Sequence, residues 1–245
     1  AEVALNDADI YLGVPTKEKL QENVDIKSLS SRQEKKKSIL YIEKIIKWFL
    51  DICGGIVGTL ILIPLTAIVY IANRISGDKG KIFYSHERIG KDGKLFKMYK
   101  FRSMVEGADE ILFKYLAENE EARKEYKKYK KLKDDPRITK VGKFLRKTSL
   151  DEFPQFLNVL KGEMSLVGPR PYLPREKEDM GEIYDTIVSM KPGVTGYWQV
   201  SGRSDVTFKE RIVMDIGYYQ KSSLKIDLKL LFATVKKVIK KEGAI

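Results

Sequence analysis

Hydrophobic and polar positions divide the chain into a polar beginning, one long uncharged run, and a mixed, strongly charged remainder. The first forty residues, Ala1 to Leu40, are polar and end in Ser31-Arg32-Gln33-Glu34-Lys35-Lys36-Lys37. They read as a linker or tail, without the apolar core after a basic start that marks a signal peptide. Ile52 to Ala72 then holds no charged side chain. Roughly twenty such residues make a helix about 30 Å long, the thickness of a bilayer core. A buried core helix is the other reading, but that length is unusual in so polar a chain. Lys35, Lys36, Lys37, Lys44 and Lys47 precede the run, and Arg74, Lys79, Lys81 and Arg88 follow it. Lys and Arg mark the cytoplasmic side of a membrane segment, and here both flanks carry that mark. Pro64 removes a backbone donor inside the run and can bend the helix. A re-entrant hairpin that enters and leaves on the cytoplasmic face satisfies both observations. Asp51 lies four residues after Lys47, so a helical pair is expected to neutralise it. Gly54-x-x-x-Gly58 offers a weak signal for close helix packing.

Beyond the run, Lys81–Gly90 and Lys94–Arg102 read as strands, and Gly90-Lys91-Asp92-Gly93 between them is a turn signal. A β-hairpin is therefore expected, with Phe96 and Met98 on one face. Residues from about Ala108 to Lys133 are helix-rich, basic and dense in Tyr, a composition that suits a solvated helix face better than a nucleic-acid site. Phe153, Phe156, Leu157 and Leu160 repeat at helical spacing, and Gly162 is a fitting stop. Val167-Gly168-Pro169-Arg170-Pro171 is a loop. Asp227 to Lys241 reads as a basic amphipathic helix, which can pack, lie on an anionic membrane surface, or do both. The fold class is thus α+β and mostly helical.

Composition narrows the chemistry. The 245 residues are 43% hydrophobic, enough for a core, and 46 Lys+Arg against 34 Asp+Glu give a net charge of +12. Such a charge favours nucleic acid, a membrane surface or a phosphorylated substrate. The chain contains one cysteine, Cys53, and His86 is its one histidine. That disfavours a disulfide framework, a Cys/His zinc site and a histidine-activated nucleophile together. Neither a Gly-x-x-x-x-Gly-Lys-Ser/Thr loop nor a Gly-x-Gly-x-x-Gly following a strand occurs.

Ser149-Leu150-Asp151-Glu152 carries the remaining candidate chemistry. Its plain reading is a capping box, in which Ser149 and Glu152 close the start of a helix. The cations around it favour a functional reading: Arg137, Lys140, Lys143, Arg146 and Lys147 come before it, Lys100 and Arg102 end the hairpin, and Arg170 sits between two prolines. Such groups can hold a diphosphate, the arginines through bidentate hydrogen bonds. Adjacent carboxylates in that field are expected to stay ionised. One can attack phosphorus, and the other can hold Mg2+, which takes few protein carboxylates alongside phosphate oxygens.

Five ordered motifs extend this picture: Lys100-Phe101-Arg102-Ser103-Met104, Asp135-Pro136-Arg137-Ile138-Thr139, Ser149 to Gln155, Asn158 to Pro171, and Lys191 to Arg203. On these the chain, from about Tyr41 to Lys240, resembles the bacterial sugar transferases, monotopic polyprenyl-phosphate phosphoglycosyl transferases that start surface-glycan assembly. The resemblance implies that Asp151 attacks the sugar-bearing phosphorus of a UDP-sugar, a hexose such as glucose or galactose. UMP leaves, and undecaprenyl phosphate then takes the sugar phosphate from the aspartate. It also implies that Glu152 holds Mg2+, that Pro169, Arg170 and Pro171 form a binding loop, and that Gln199 and Arg203 contact the nucleotide. Lys100, Arg102, Arg137, Lys143 and Arg146 complete the expected substrate-binding set.

The implied organisation is a tail over 1–40, a re-entrant membrane helix over 41–76, and a cytoplasmic catalytic domain over 77–245 on the bacterial inner membrane. The lipid bilayer is then a partner, nucleic acid is not, and homo-oligomerisation is left open. The chain departs from the family at Trp48, where Arg often follows the lysine, and at Ile63, where Ser often precedes the proline. Its C-terminal motifs look most like those of the larger hexose-1-phosphate transferases, and the chain reads as the catalytic part of one or as a short form. The alternative from another class is a membrane-attached basic module that binds anionic lipid or nucleic acid without catalysis.

Overall fold

A computed structural model describes residues 37–129, 132–201 and 207–240. The uncharged run lies within one helix, α1 (Lys37–Ile75), of 39 residues. Its stretch Tyr41–Ile75 is long and apolar enough to cross a membrane. Pro64 lies inside α1 without ending it, and nearby the Thr66 hydroxyl donates to the Leu62 carbonyl at 2.7 Å. Asp51, Gly55, Gly58, Leu62, Val69 and Asn73 are buried, a stripe at three- and four-residue spacing. The opposite face exposes Ile56, Leu60, Ile63, Ile68 and Ile71. Small and polar side chains, together with Leu62 and Val69, are thus turned towards the protein, and large apolar ones are turned away.

That stripe meets the rest of the molecule along its length. Lys47 and Asp51 do not neutralise one another through a mutual hydrogen bond, as their spacing led one to expect. Lys47 Nζ instead donates to Asp227 at 2.5 Å and to the Val167 carbonyl at 2.9 Å. Asp51 accepts from Ser165 Oγ at 3.0 Å and from the Leu166 N–H at 2.8 Å. Gly54 and Gly58 admit Leu166 and Phe156 where a Cβ would collide with them. Further along, Leu62 and Val69 join Phe101 and Leu145 in a buried cluster.

After α1 the hairpin forms as expected: β1 (Phe83–Ile89) pairs antiparallel with β2 (Leu95–Phe101), from Phe83↔Phe101 to Ile89↔Leu95. The connection uses positive φ at Asp92 and Gly93. Phe96 and Met98 are buried with Val159 and Met164. The helix-rich stretch from Ala108 divides into α2 (Ala108–Glu118) and α3 (Glu120–Tyr129). Asn119 between them is extended, and its side chain accepts from the Ala122 N–H at 3.0 Å, so it ends one helix and opens the next.

Then come α4 (Lys140–Thr148), capped by Thr139, and α5 (Gln155–Leu160). Gly162, at φ 74°, turns the chain out of α5. β3 (Ser165–Val167) pairs parallel with β4 (Gly193–Thr195), and the short helices α6 (Lys177–Met180) and α7 (Tyr184–Val188) lie between them in sequence. The chain closes with α8 (Tyr197–Ser201), α9 (Phe208–Lys221) and α10 (Leu224–Lys240). The C-terminal helix is amphipathic as read: Leu230 is buried with Val167, Tyr197, Val200 and Tyr218, while Leu228, Phe232 and Val235 are exposed.

Candidate active site

The carboxylate pair sits in the corner between α4 and α5. Ser149 does not cap the helix that follows; its φ of 58° is left-handed and it closes α4, its N–H returning to the Arg146 carbonyl at 3.1 Å. The capping-box reading therefore fails. A single 3-10 turn, Leu150–Glu152, carries both acids, and Pro154 directly precedes α5. A left-handed serine is strained by roughly 1 kcal/mol or more, and here the strain lies at the residue directly before the acidic turn.

Two other elements hold this corner. Asn158 of α5 is fully buried, accepts from the Tyr99 N–H at 3.0 Å and donates to the Lys97 carbonyl and to Glu163 Oε2, both at 2.7 Å. It therefore fixes α5 against β2, where Lys100, the residue after Tyr99, pairs with the acids. Lys100 Nζ donates to Glu152 Oε1 at 2.8 Å and lies 3.9 Å from Asp151 Oδ2. Arg146, one turn before Asp151, donates from Nε to Ser103 Oγ at 2.9 Å. Burial lowers the Arg146 guanidinium from its ordinary value, and the facing Asp151 and Asp135 carboxylates oppose that.

The positive field was expected to keep both acids ionised. At Asp151 burial outweighs that field, although a carboxyl titrating near 6 is still mostly ionised at neutral pH. Burial raises the carboxyl to about 6, the Lys100 charge lowers it, Glu152 raises it and Arg146 lowers it. Desolvation is the largest of these effects.

A cavity of about 1310 Å³ opens over the pair, lined by Lys100, Arg102, Arg137, Arg146, Arg170 and Gln199 among the expected binding residues. Its wall also includes Gly54, Val57 and Ile61 of α1 and Leu231, Val235 and Val238 of α10. The same space therefore touches the carboxylates and the apolar helix. Within it, Arg102 is committed to the protein: it donates to the Lys81 and Met104 carbonyls and to Asp78 at 2.5, 2.8 and 2.6 Å. Arg137 holds Asp135 through two bonds, at 2.8 and 2.6 Å. These two bring charge to the wall and brace it. Lys143 is exposed and does not line the cavity.

Pro169 is fully buried, the Pro171 carbonyl accepts from Arg88, and the Arg170 guanidinium lies over the Trp198 ring at 5.0 Å. Gln199 Nε2 donates to the Val194 carbonyl at 2.6 Å. Arg203 lies outside the described residues. Sequence reading used Arg88 only as a cation flanking the uncharged run and passed over Arg211; they enter from β1 and α9. Trp198 was legible only as part of a motif.

Among the described residues no group of three or more His, Cys, Asp or Glu side chains is placed to hold a metal. Glu152, with Asp151 beside it, supplies the one or two carboxylates that Mg2+ takes when substrate phosphates provide further oxygens. The residues present suit a metal that arrives with a diphosphate.

A mostly helical α+β fold thus carries a helix of membrane-crossing length and, in a basic cavity, a buried Asp151 beside a half-buried Glu152. The chain belongs to the bacterial sugar transferase family, whose model matches residues 42–241. It is similar to the undecaprenyl-phosphate galactose phosphotransferase of Salmonella typhimurium, 47% identical over 201 residues, covering 82% of this chain and 42% of that protein. It is also similar to the exopolysaccharide production protein ExoY of Sinorhizobium fredii, 43% identical over 198 residues, 79% of this chain and 85% of that one. The UDP-glucose:undecaprenyl-phosphate glucose-1-phosphate transferase of Escherichia coli is 34% identical, over 79% of this chain and 40% of its own length. The chain thus spans less than half the length of the first and third of these relatives.

Proposed function

We propose that this chain transfers a hexose 1-phosphate from a UDP-sugar to undecaprenyl phosphate, releasing UMP, in the first membrane step of surface-polysaccharide synthesis. The observation that carries the reading is the buried Asp151, 3.9 Å from Lys100, in a cavity that also reaches α1. A non-catalytic basic module gives no reason to bury a carboxylate there.

In this reading an Asp151 oxygen attacks the sugar-bearing phosphorus. The bond from that phosphorus to the bridging oxygen breaks, and its electron pair leaves with UMP. A phosphate oxygen of the lipid then attacks the same phosphorus, the aspartyl oxygen–phosphorus bond breaks, and the carboxylate is restored. Lys100 and Arg146 stabilise charge developing on the phosphoryl oxygens, and Lys100 also orients Glu152 through their hydrogen bond. Mg2+, bound through Glu152 and the diphosphate, would supply charge neutralisation of the leaving group. The Pro169-Arg170-Pro171 loop positions the donor.

The apolar outer face of α1 makes it the membrane element. Contacts of both Lys47 and Val69 with the same catalytic body support a re-entrant path, with that body on the cytoplasmic face. Incubating the protein with Mg2+, undecaprenyl phosphate and a panel of UDP-sugars tests the activity. UMP release with one or two hexose donors, and none by Asp151→Asn, is expected. Absence of release across the panel would overturn the reading.

A further inference from the structure

Beside the carboxylate pair lies a second basic group, of which the mechanism above uses only the Arg170 loop. Arg88 reaches from β1 to the Pro171 carbonyl, donating from one terminal nitrogen at 3.1 Å, while its Nε is buried without a hydrogen-bond partner. Arg170 Nε is buried without a partner as well, and its guanidinium lies over Trp198. Arg211, from α9, lies over the same ring at 5.7 Å. Buried arginine donors are normally satisfied, and each exception calls for a reason.

The nearby acids do not supply it. Glu176 Oε2 accepts from the Leu173 N–H at 2.7 Å. Asp215 Oδ2 accepts from the Arg170 N–H at 3.0 Å and from the Tyr172 hydroxyl at 2.7 Å. These carboxylates brace the loop backbone, and burial raises Asp215 to about 7, so it is a weak counter-charge at neutral pH. Burial and the neighbouring Arg170 charge together bring Arg88 down to about 10. Arg88 and Arg170 therefore repel one another, and among the described residues Glu176 and Asp215 are turned to the loop backbone.

The position of that space indicates its ligand. A small cavity has Lys100 and Glu152 on its wall together with Arg88, Arg170, Trp198 and Gln199. A diphosphate whose reacting phosphoryl group sits on Asp151 places its other phosphate in this direction. We infer that Arg88 and Arg170, flanked by Arg211 on Trp198, form a distinct subsite for the phosphate of the leaving nucleoside monophosphate. This rests on the transferase reading above. The fork of a guanidinium matches two phosphate oxygens at once, and the free Nε atoms are donors still to be used. After phosphoryl transfer to Asp151 the monophosphate remains seated there, so UMP competes with the donor.

Calorimetric binding of UMP to the full chain in detergent tests the subsite without requiring turnover. Losing a charge-assisted bond worth roughly 1.5–3 kcal/mol weakens binding about 10- to 100-fold, the expected result for Arg88→Gln. Arg88→Lys, which keeps charge without the fork, should lie between, and it serves in place of Arg88→Gln if that variant melts early. In steady state Arg88→Gln should raise the donor KM and leave the KM for a short polyprenyl phosphate unchanged. Native UMP affinity in a folded Arg88→Gln would overturn the inference, as would a selective loss of affinity for the polyprenyl phosphate. Arg88-dependent UMP binding by a protein that turns over no UDP-sugar would sustain the subsite while removing the transferase reading.

Discussion

Asp151 is held between two opposing influences, burial that favours its protonated form and cations that favour the charged one. Burial prevails and the carboxyl titrates near 6. A nucleophilic aspartate must be ionised, so lowering the pH through that value should protonate it and slow the first half-reaction. UMP formation measured without acceptor should fall about tenfold for each pH unit below roughly 5 and level off above roughly 7. A rate flat between pH 5 and 8 would contradict this. The acids themselves were legible in the sequence because they adjoin a dense set of cations. The upward shift at Asp151 was not, since counting charges ignores the cost of desolvation. The role of Ser149 was also hidden: Ser-x-x-Glu is spelled alike at a helix start and across a corner between helices, and the backbone angle decides. Arg88 and Arg211 were obscure for a different reason, as they lie 63 and 60 positions from Asp151 in sequence and meet the site only through packing.

At the scale of elements, α5 is the part that transmits position. On one side the glycines of α1 let Phe156 and Leu160 approach closely; on the other, Asn158 ties α5 to β2. The catalytic turn precedes α5 directly, so its place relative to Lys100 depends on these contacts. Asn158→Ala leaves the Tyr99 N–H and the Lys97 carbonyl without their side-chain partner and creates a small void. Destabilisation of about 2–4 kcal/mol is expected, read as a lower melting temperature, with donor turnover falling at temperatures where the variant is still folded. Stability within about 0.5 kcal/mol of wild type would show that α5 is held otherwise.

The elements themselves followed closely from pattern. The hairpin, α5, the C-terminal helix and the long apolar helix stand where periodicity and turn residues put them. The break at Asn119 was missed because Glu, Lys and Tyr continue the helical composition across it. The partners of Lys47 and Asp51 were missed because helical spacing describes neighbours within a helix and says nothing of a β-strand or a distant helix packed against it.

The whole molecule places a polar reaction against an apolar helix. The stripe from Asp51 to Asn73 faces the rest of the molecule, and the other face of α1 leaves isoleucine and leucine exposed. A helix crossing straight through a bilayer carries its far half away from a body on the near side, whereas here Leu62 and Val69 still pack on Phe101 and Leu145. With Cys53 replaced by Ser, single cysteines at Glu43 and Lys79 should both react with an impermeant maleimide only after the inner membrane is opened. Labelling of just one of them in sealed cells would establish a span in place of a re-entrant path.

The account depends most on a covalent bond between Asp151 and the sugar phosphate. Mixing the protein with its UDP-sugar in the absence of lipid acceptor, and following both UMP and the intact mass of the Asp151 peptide, measures it directly. The account predicts about one UMP per polypeptide, a hexose-phosphate adduct on that peptide, and its loss when undecaprenyl phosphate is added. UMP that forms only when both substrates are present, or an undiminished burst from Asp151→Asn, would contradict it.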